Sequence, residues 1–257
     1  MSIIALQKRF IGFLSLCFMS IPALSANGHI YLSSSLAASF AELNKNTPVI
    51  NYDSGLLMDA YPLKSTHASS AVFGFNGGYE FIPANHRIAI ALGVGLYTNA
   101  ADYNFDGQLV ETASGDPSST LYNYTYYINS TRLMAEIQLT WLMKKISPFI
   151  DFGVGPAWNR IGGYSESPAT SNGYVALPPF QSNTNVNLAY QVGFGISTAG
   201  NFAVHHADFK QDRVSLGYRY VNLGSTSLGT RGAVYPFHLN TGSLTTNDVY
   251  LSYTHLF

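Results

Sequence analysis

The amino-acid sequence predicts an all-β protein: an eight-stranded antiparallel transmembrane β-barrel with short periplasmic turns and long extracellular loops. Three observations predict it. Segments of about ten residues alternate apolar and polar positions, the length and period of a tilted membrane strand. The connections between them alternate short and long, with one exception, residues 198–212, where a short turn is expected and a longer segment stands. Beyond residue 26 no apolar run approaches the ~20 residues that a spanning helix needs, although charged residues are only 11% of the 257 and aromatics 14%. A mean hydropathy of +0.08 fits strands that turn one face to lipid and a small or polar face inward. A soluble all-β sandwich shares this composition but does not call for an aromatic chain end.

The chain opens like an exported precursor. Lys8 and Arg9 precede a short apolar stretch, residues 10–24, and Ala23, Ser25 and Ala26 are small residues suited to cleavage. We read residues 1–26 as a signal peptide, with cleavage after Ala26 or, as the alternative, after Ser25, and 27–257 as one barrel domain. Cys17, the only cysteine, falls in the signal, so the mature chain has neither a disulfide nor thiolate chemistry.

The first strand is expected at 30–40, with Ile30, Leu32, Leu36, Ala38 and Phe40 on one face. The second is expected at 69–81, carrying Phe73 and Phe75. The third, 87–97, alternates most cleanly: Ile88, Ile90, Leu92, Val94 and Leu96 against Ala89, Ala91, Gly93 and Gly95. The fourth (130–142), fifth (149–159), sixth (186–197) and seventh (213–221) follow the same rule. Pro156 cannot donate to a ladder and is expected to mark the end of pairing in the fifth. The eighth, 248–257, places Val249, Leu251, Tyr253 and Phe257 on one face, with His255 the odd member. An aromatic Phe257 at a chain end suits a membrane interface. These four residues are the expected signal for the outer-membrane assembly machinery. The long connections lack a second hydrophobic pattern and are expected to be loops.

The faces opposite the apolar ones carry small residues such as Gly78, Gly155 and Gly193, as a narrow closure requires. Charges share those faces: Glu80, Arg87, Arg132, Glu136, Asp151 and Arg219. An unpaired buried charge costs several kcal/mol, so a network is expected, Arg132 and Arg219 with Glu136 and Asp151. It would serve as a plug; a narrow gated pore is the alternative.

Residues 150–158 (IDFGVGPAW), 189–196 (AYQVGFGI), 214–224 (VSLGYRYVNLG) and 248–257 (DVYLSYTHLF) resemble the strand signatures of the small outer-membrane β-barrel superfamily. That group includes OmpA-type transmembrane domains and opacity-type surface proteins of Gram-negative bacteria. The resemblance covers about residues 30–257 and is one of pattern. It implies an outer-membrane location and roles in envelope integrity, adhesion or host contact. The implied partners are outer-membrane lipid and lipopolysaccharide, the assembly machinery and a host or envelope ligand. The chain stops at the barrel, so a wall-anchoring domain is not expected. A porin-like channel for small or hydrophobic solutes is the second reading, and a lipid A-modifying hydrolase the third.

Little in the sequence points to catalysis. His67-Ala68-Ser69 is a lone His-x-Ser pair, the minimum for an activated serine, and is read as a loop edge. His205, His206 and Asp208 could ligate a metal only if a turn brought them together; they are read as a periplasmic turn. No cofactor is expected, and a net charge of −1 without a basic stripe argues against nucleic acid. Asn123, Tyr124, Tyr126, Tyr127, Tyr164, Tyr174 and Tyr235 stud the long segments. Tyr126, Tyr127 and Trp158 are assigned to the membrane rim, and the loop tips to ligand contact.

Overall fold

The computed structural model describes residues 28–44, 47–52, 57–83, 87–113, 120–143, 145–169, 179–199, 212–230 and 237–257. The signal peptide reading, the His205–His206–Asp208 group, Tyr174 and Tyr235 lie outside the described residues. Twelve strands are present among the described residues: β1 (Gly28–Leu43), β2 (Val49–Tyr52), β3 (Leu57–Ala60), β4 (His67–Phe81), β5 (Ile88–Asn99), β6 (Tyr103–Ala113), β7 (Thr120–Trp141), β8 (Ser147–Pro168), β9 (Phe180–Gln181), β10 (Asn183–Ala199), β11 (Asp212–Thr230) and β12 (Leu239–Leu256).

Eight of them close into an antiparallel ring in the order β1, β4, β5, β7, β8, β10, β11, β12 and back to β1. Every expected strand lies in this ring. Along each, alternate apolar residues point outward; Leu188, for example, is 72% exposed, and Ile30, Phe75 and Phe194 stand out similarly. Val249, Leu251, Tyr253 and Phe257 belong to this outward belt. His255 leans toward β11, where its Nδ1 lies 2.7 Å from Asp212.

The strands run well beyond the segments anticipated from sequence. β7 and β8 are 22 residues each. β6 continues the direction of β5 along β7, after a break at residues 100–102. β2 and β3 extend the sheet from the far side of β6. The segments taken for loops thus contribute a strand-built cap above one end of the ring.

Pro156 does not end pairing. The β8–β10 register continues through it from Ser147 to Ile161. On the β7 side the ladder skips the two pairs beside the proline, between Ala135↔Val154 and Arg132↔Ala157, because proline lacks the N–H that this ladder needs. The backbones stay close there: a Cβ on Gly155 would stand 1.9 Å from the Leu133 carbonyl oxygen. No lateral gap opens at this point.

Candidate functional site

The barrel interior has three levels. Nearest the short-turn end lies a polar cavity of about 50 Å³, lined by Tyr31, Ser33, Asn76, Glu136, Asp151 and Arg219 among others. That is room for a few ordered waters. At its mouth Glu80 is buried and takes two hydrogen bonds from Arg213, at 2.5 and 2.7 Å.

The second level is a layer of charge and aromatic rings. Arg132, 2% exposed, donates to Asp248, 1% exposed, at 2.8 Å. Ser39 donates to the other oxygen of Asp248 at 2.5 Å and meets the Tyr103 hydroxyl at 2.6 Å. Tyr97 lies between two guanidiniums, with Arg132 and Arg219 each 4.7 Å from its ring centroid. Its hydroxyl donates to Glu136 at 2.5 Å. Glu136 also accepts from Asn76 at 2.8 Å and Gln191 at 2.6 Å, so three donors rather than an ion pair satisfy it. Arg219 covers the Tyr250 ring at 4.5 Å. Its Nε is 3.5 Å from Asp151, a Coulombic contact without hydrogen-bond geometry, while Tyr250 donates to Asp151 at 3.1 Å.

Of the six charges singled out in the sequence, five are in this interior. Arg87 is not: it precedes β5 and is exposed, and among the described residues its carbonyl alone is engaged, by Leu142 N–H at 2.7 Å. It sits where the chain turns at the barrel edge, so its side chain reaches solvent. The partners also differ from those expected. Arg132 pairs with Asp248, and Glu80 with Arg213, neither of which was assigned to the network. The parity of β11 and β12 places both on or beside the inner wall.

The third level is apolar. Leu109, Ile128, Ile161, Leu223, Leu239 and Leu244 fill the interior above the charged layer. An aromatic cluster continues it into the cap. The Tyr124 ring stacks with Tyr126 at 6.2 Å and with Tyr164 at 6.0 Å, and Tyr61 and Phe180 meet edge-on at 5.7 Å. The Tyr124 hydroxyl donates to the Tyr61 carbonyl at 2.9 Å. Tyr126 is therefore an inward core residue, not a rim residue. It shares parity with Tyr122, Tyr124 and Ile128, all buried, whereas Tyr127 and Trp158 face outward.

Carboxylates gather at the edge of the cap. Asp59 of β3 stands opposite Glu111 of β6, and Tyr164 donates to Glu166 at 2.5 Å. Burial raises the Glu166 carboxyl above its ordinary value, the tyrosine bond opposes this, and Glu111 and Asp59 add to the rise. Burial also raises Glu111, with Asp59 contributing.

His67 and Ser69 lie exposed on the outward face of β4, His67 in register with Glu42 and Ser69 with Phe40. Among the described residues no hydrogen bond joins His67 to Ser69 or to Glu42, so the contact that activates a serine is not made. Nor does any group of three metal-ligating side chains come together among the described residues.

No protein-family model and no curated protein sequence matches the chain. Solved structures of similar fold are outer-membrane barrels. Neisserial surface protein A (NspA) is 13% identical, with 89% of this chain and 97% of that one covered and a TM-score of 0.41. The outer membrane protease OmpT from Escherichia coli is 8% identical, with 90% and 97% covered and a TM-score of 0.44. The translocator domain of the autotransporter NalP from Neisseria meningitidis is 9% identical, with 98% and 96% covered and a TM-score of 0.33.

Proposed function

We propose that the chain is a closed outer-membrane barrel of a Gram-negative bacterium, exported by residues 1–26, that acts through its outer wall and cap rather than through its lumen. The role is structural and surface-interactive, without catalysis. The observation that carries this reading is the filled interior: a layer of paired charges and rings, then an apolar core, both spanning the ring. A water-filled conduit would need to part both. The outward apolar belt supports placement in lipid, since a soluble protein rarely exposes apolar patches beyond a few hundred Å². Outer-membrane lipid, lipopolysaccharide and a host or envelope ligand are the partners that such a surface would meet. The belt strand ending in Phe257 would be the part read by the assembly machinery.

The test is conductance of the refolded mature chain in a planar bilayer, with Arg219→Ala alongside. Both are expected to be silent or nearly so, because the apolar level remains in the variant. Regular channel steps in the unmodified protein would overturn the closed-barrel reading in favour of the narrow channel.

A further inference from the structure

Among the described residues, a groove in the outer wall is left without a task by the closed-barrel reading. It measures about 310 Å³ and lies where β6, β7 and β8 meet, well above the apolar belt of β7. That is the small end of the range, about 300–1,000 Å³, that small-molecule sites occupy.

A sequence irregularity builds it. The β7–β8 register shifts by one between Thr125 and Tyr127, and β8 absorbs the extra residue at Gly163–Tyr164, which together oppose Tyr126. Gly163 takes φ +63, a conformation that favours glycine. A Cβ on Gly163 would stand 2.5 Å from the Tyr127 ring. Two glycines in a row thus let that ring lie against the β8 backbone as a fixed platform. Behind the groove, on the inward side of the same strands, Phe105 and Tyr126, 2% and 3% exposed, stack at 5.6 Å and hold the wall in place.

The rim supplies hydrogen-bonding groups. Asn104, Asp106 and Thr125 are exposed, the Thr125 hydroxyl already meeting that of Ser165 at 2.9 Å with capacity left to accept. Asp106 has Lys64 3.7 Å away, which leaves its oxygens free to accept further bonds. Asn104 makes only a long contact, 3.4 Å, to the Asp102 carbonyl. An amide offers donors and acceptors together, a carboxylate accepts twice, and a hydroxyl does both.

The chemistry selects among ligands. The groove lining holds one carboxylate and no cation, so it does not suit a phosphate. The carboxylate already has a lysine at hand, so an ammonium group is not demanded either. An aromatic platform beside an amide, a carboxylate and a hydroxyl matches a neutral polyhydroxylated ring, which has an apolar C–H face and equatorial hydroxyls. We propose that this groove holds a saccharide unit, taken either from the head of a surrounding glycolipid or from a free glycan. The inference rests on the reading that the outer wall is the working surface.

The experiment uses the mature chain refolded in phospholipid nanodiscs. One arm titrates soluble core oligosaccharide released from lipopolysaccharide by mild acid, followed by calorimetry. The other incorporates intact lipopolysaccharide in the disc and counts retained molecules by native mass spectrometry. Tyr127→Ala and Asp106→Asn are expected to weaken binding at least ten-fold in the arm that binds. Heat-dependent gel mobility reports whether each variant is folded. Should Tyr127→Ala misfold, Asn104→Ala, a truncation of an exposed side chain, takes its place. Binding of the soluble sugar identifies a free glycan, and binding of intact lipopolysaccharide alone identifies the lipid-held sugar. Retention of neither probe, or equal retention by folded variants, overturns the proposal. Bilayer conductance is independent of both arms, so a failed saccharide site and a failed closed-barrel reading remain distinguishable.

Discussion

The lower and upper halves of β7 follow one parity and carry opposite chemistry. Below, Arg132, Met134, Glu136 and Gln138 face inward while Leu133, Ile137, Leu139 and Trp141 face outward. Above, Tyr122, Tyr124, Tyr126 and Ile128 face inward while Asn123, Thr125, Tyr127 and Asn129 face outward. The strand does not turn over; its surroundings do. With lipid outside the lower half, as proposed above, apolar groups go out and polar groups must satisfy one another within. Where water lies outside, the ordinary rule of a soluble core returns. The changeover falls near Ser130–Thr131, where Ser130 donates to Asn159 at 2.8 Å and Asn159 to the Leu223 carbonyl at 2.8 Å.

If the two halves are held by different physics, they should fail differently. The largest effect is expected in the lower half. Arg132→Ala leaves Asp248 buried and unpaired, at a cost of about 3–5 kcal/mol. Arg132→Met combined with Asp248→Leu should recover most of that, because an ion pair replaced by apolar groups of similar volume is often near neutral. Urea midpoints of the refolded barrel, with unchanged slope, would measure both. A double variant as unstable as the single would mean that the pair contributes more than mutual neutralisation.

In the upper half Leu109→Ala or Leu223→Ala should cost about 2–5 kcal/mol, the usual range for a buried leucine truncated to a cavity. No second substitution of opposite polarity should rescue it, in contrast to the ion pair. Tyr97→Phe should cost less, about 1–3 kcal/mol. It removes one of three donors to Glu136 but keeps the ring between Arg132 and Arg219. Loss of the ring in Tyr97→Leu should exceed it by the cation–π share, about 0.5–2 kcal/mol.

The smallest effect concerns pH and belongs to the cap alone. Glu166 and Glu111 are both raised above 4.5, the ordinary value. Between that value and the higher folded one, the folded cap holds more protons than the unfolded chain. Its stability therefore falls as pH rises through the window. Amide exchange, corrected for its intrinsic pH dependence, should show better cap protection at pH 5 than at pH 7. Glu166→Gln should flatten the difference, and protection that rises with pH would reverse the assignment.

This inversion also explains what was legible in the sequence. The eight belt segments were readable because an outward apolar belt imposes a clean alternation of Leu, Ile, Val and Phe against Gly, Ala and charge. The upper strands alternate as well, but Tyr against Asn and Thr reads as polar loop, since tyrosine serves core, rim and binding tips alike. β6 was missed for the same reason. The charged side chains of the interior were visible as types on a face. Their partners were not: Arg132 and Asp248 lie 116 residues apart, and only the closed register brings them together. Arg87 shares the parity of the inner wall but lies one residue outside β5, where that parity no longer decides burial. The groove beside Gly163 was hidden because the one-residue bulge at Gly163–Tyr164 leaves no periodic trace.

β1 and β12, the two ring strands farthest apart in sequence, are paired from Tyr31↔Leu256 to Leu43↔Leu244. Phe257 N–H donates to the Ile30 carbonyl at 2.8 Å, and His29 Nδ1 lies 3.2 Å from the Phe257 carbonyl. Contacts of such separation carry the greatest loop-closure cost and form slowly. Until they form, both strands present raw edges that any other extended chain can join. For this molecule assembly is a search problem before it is a packing problem. A catalyst of its insertion would act best by holding one of those two edges while the other arrives.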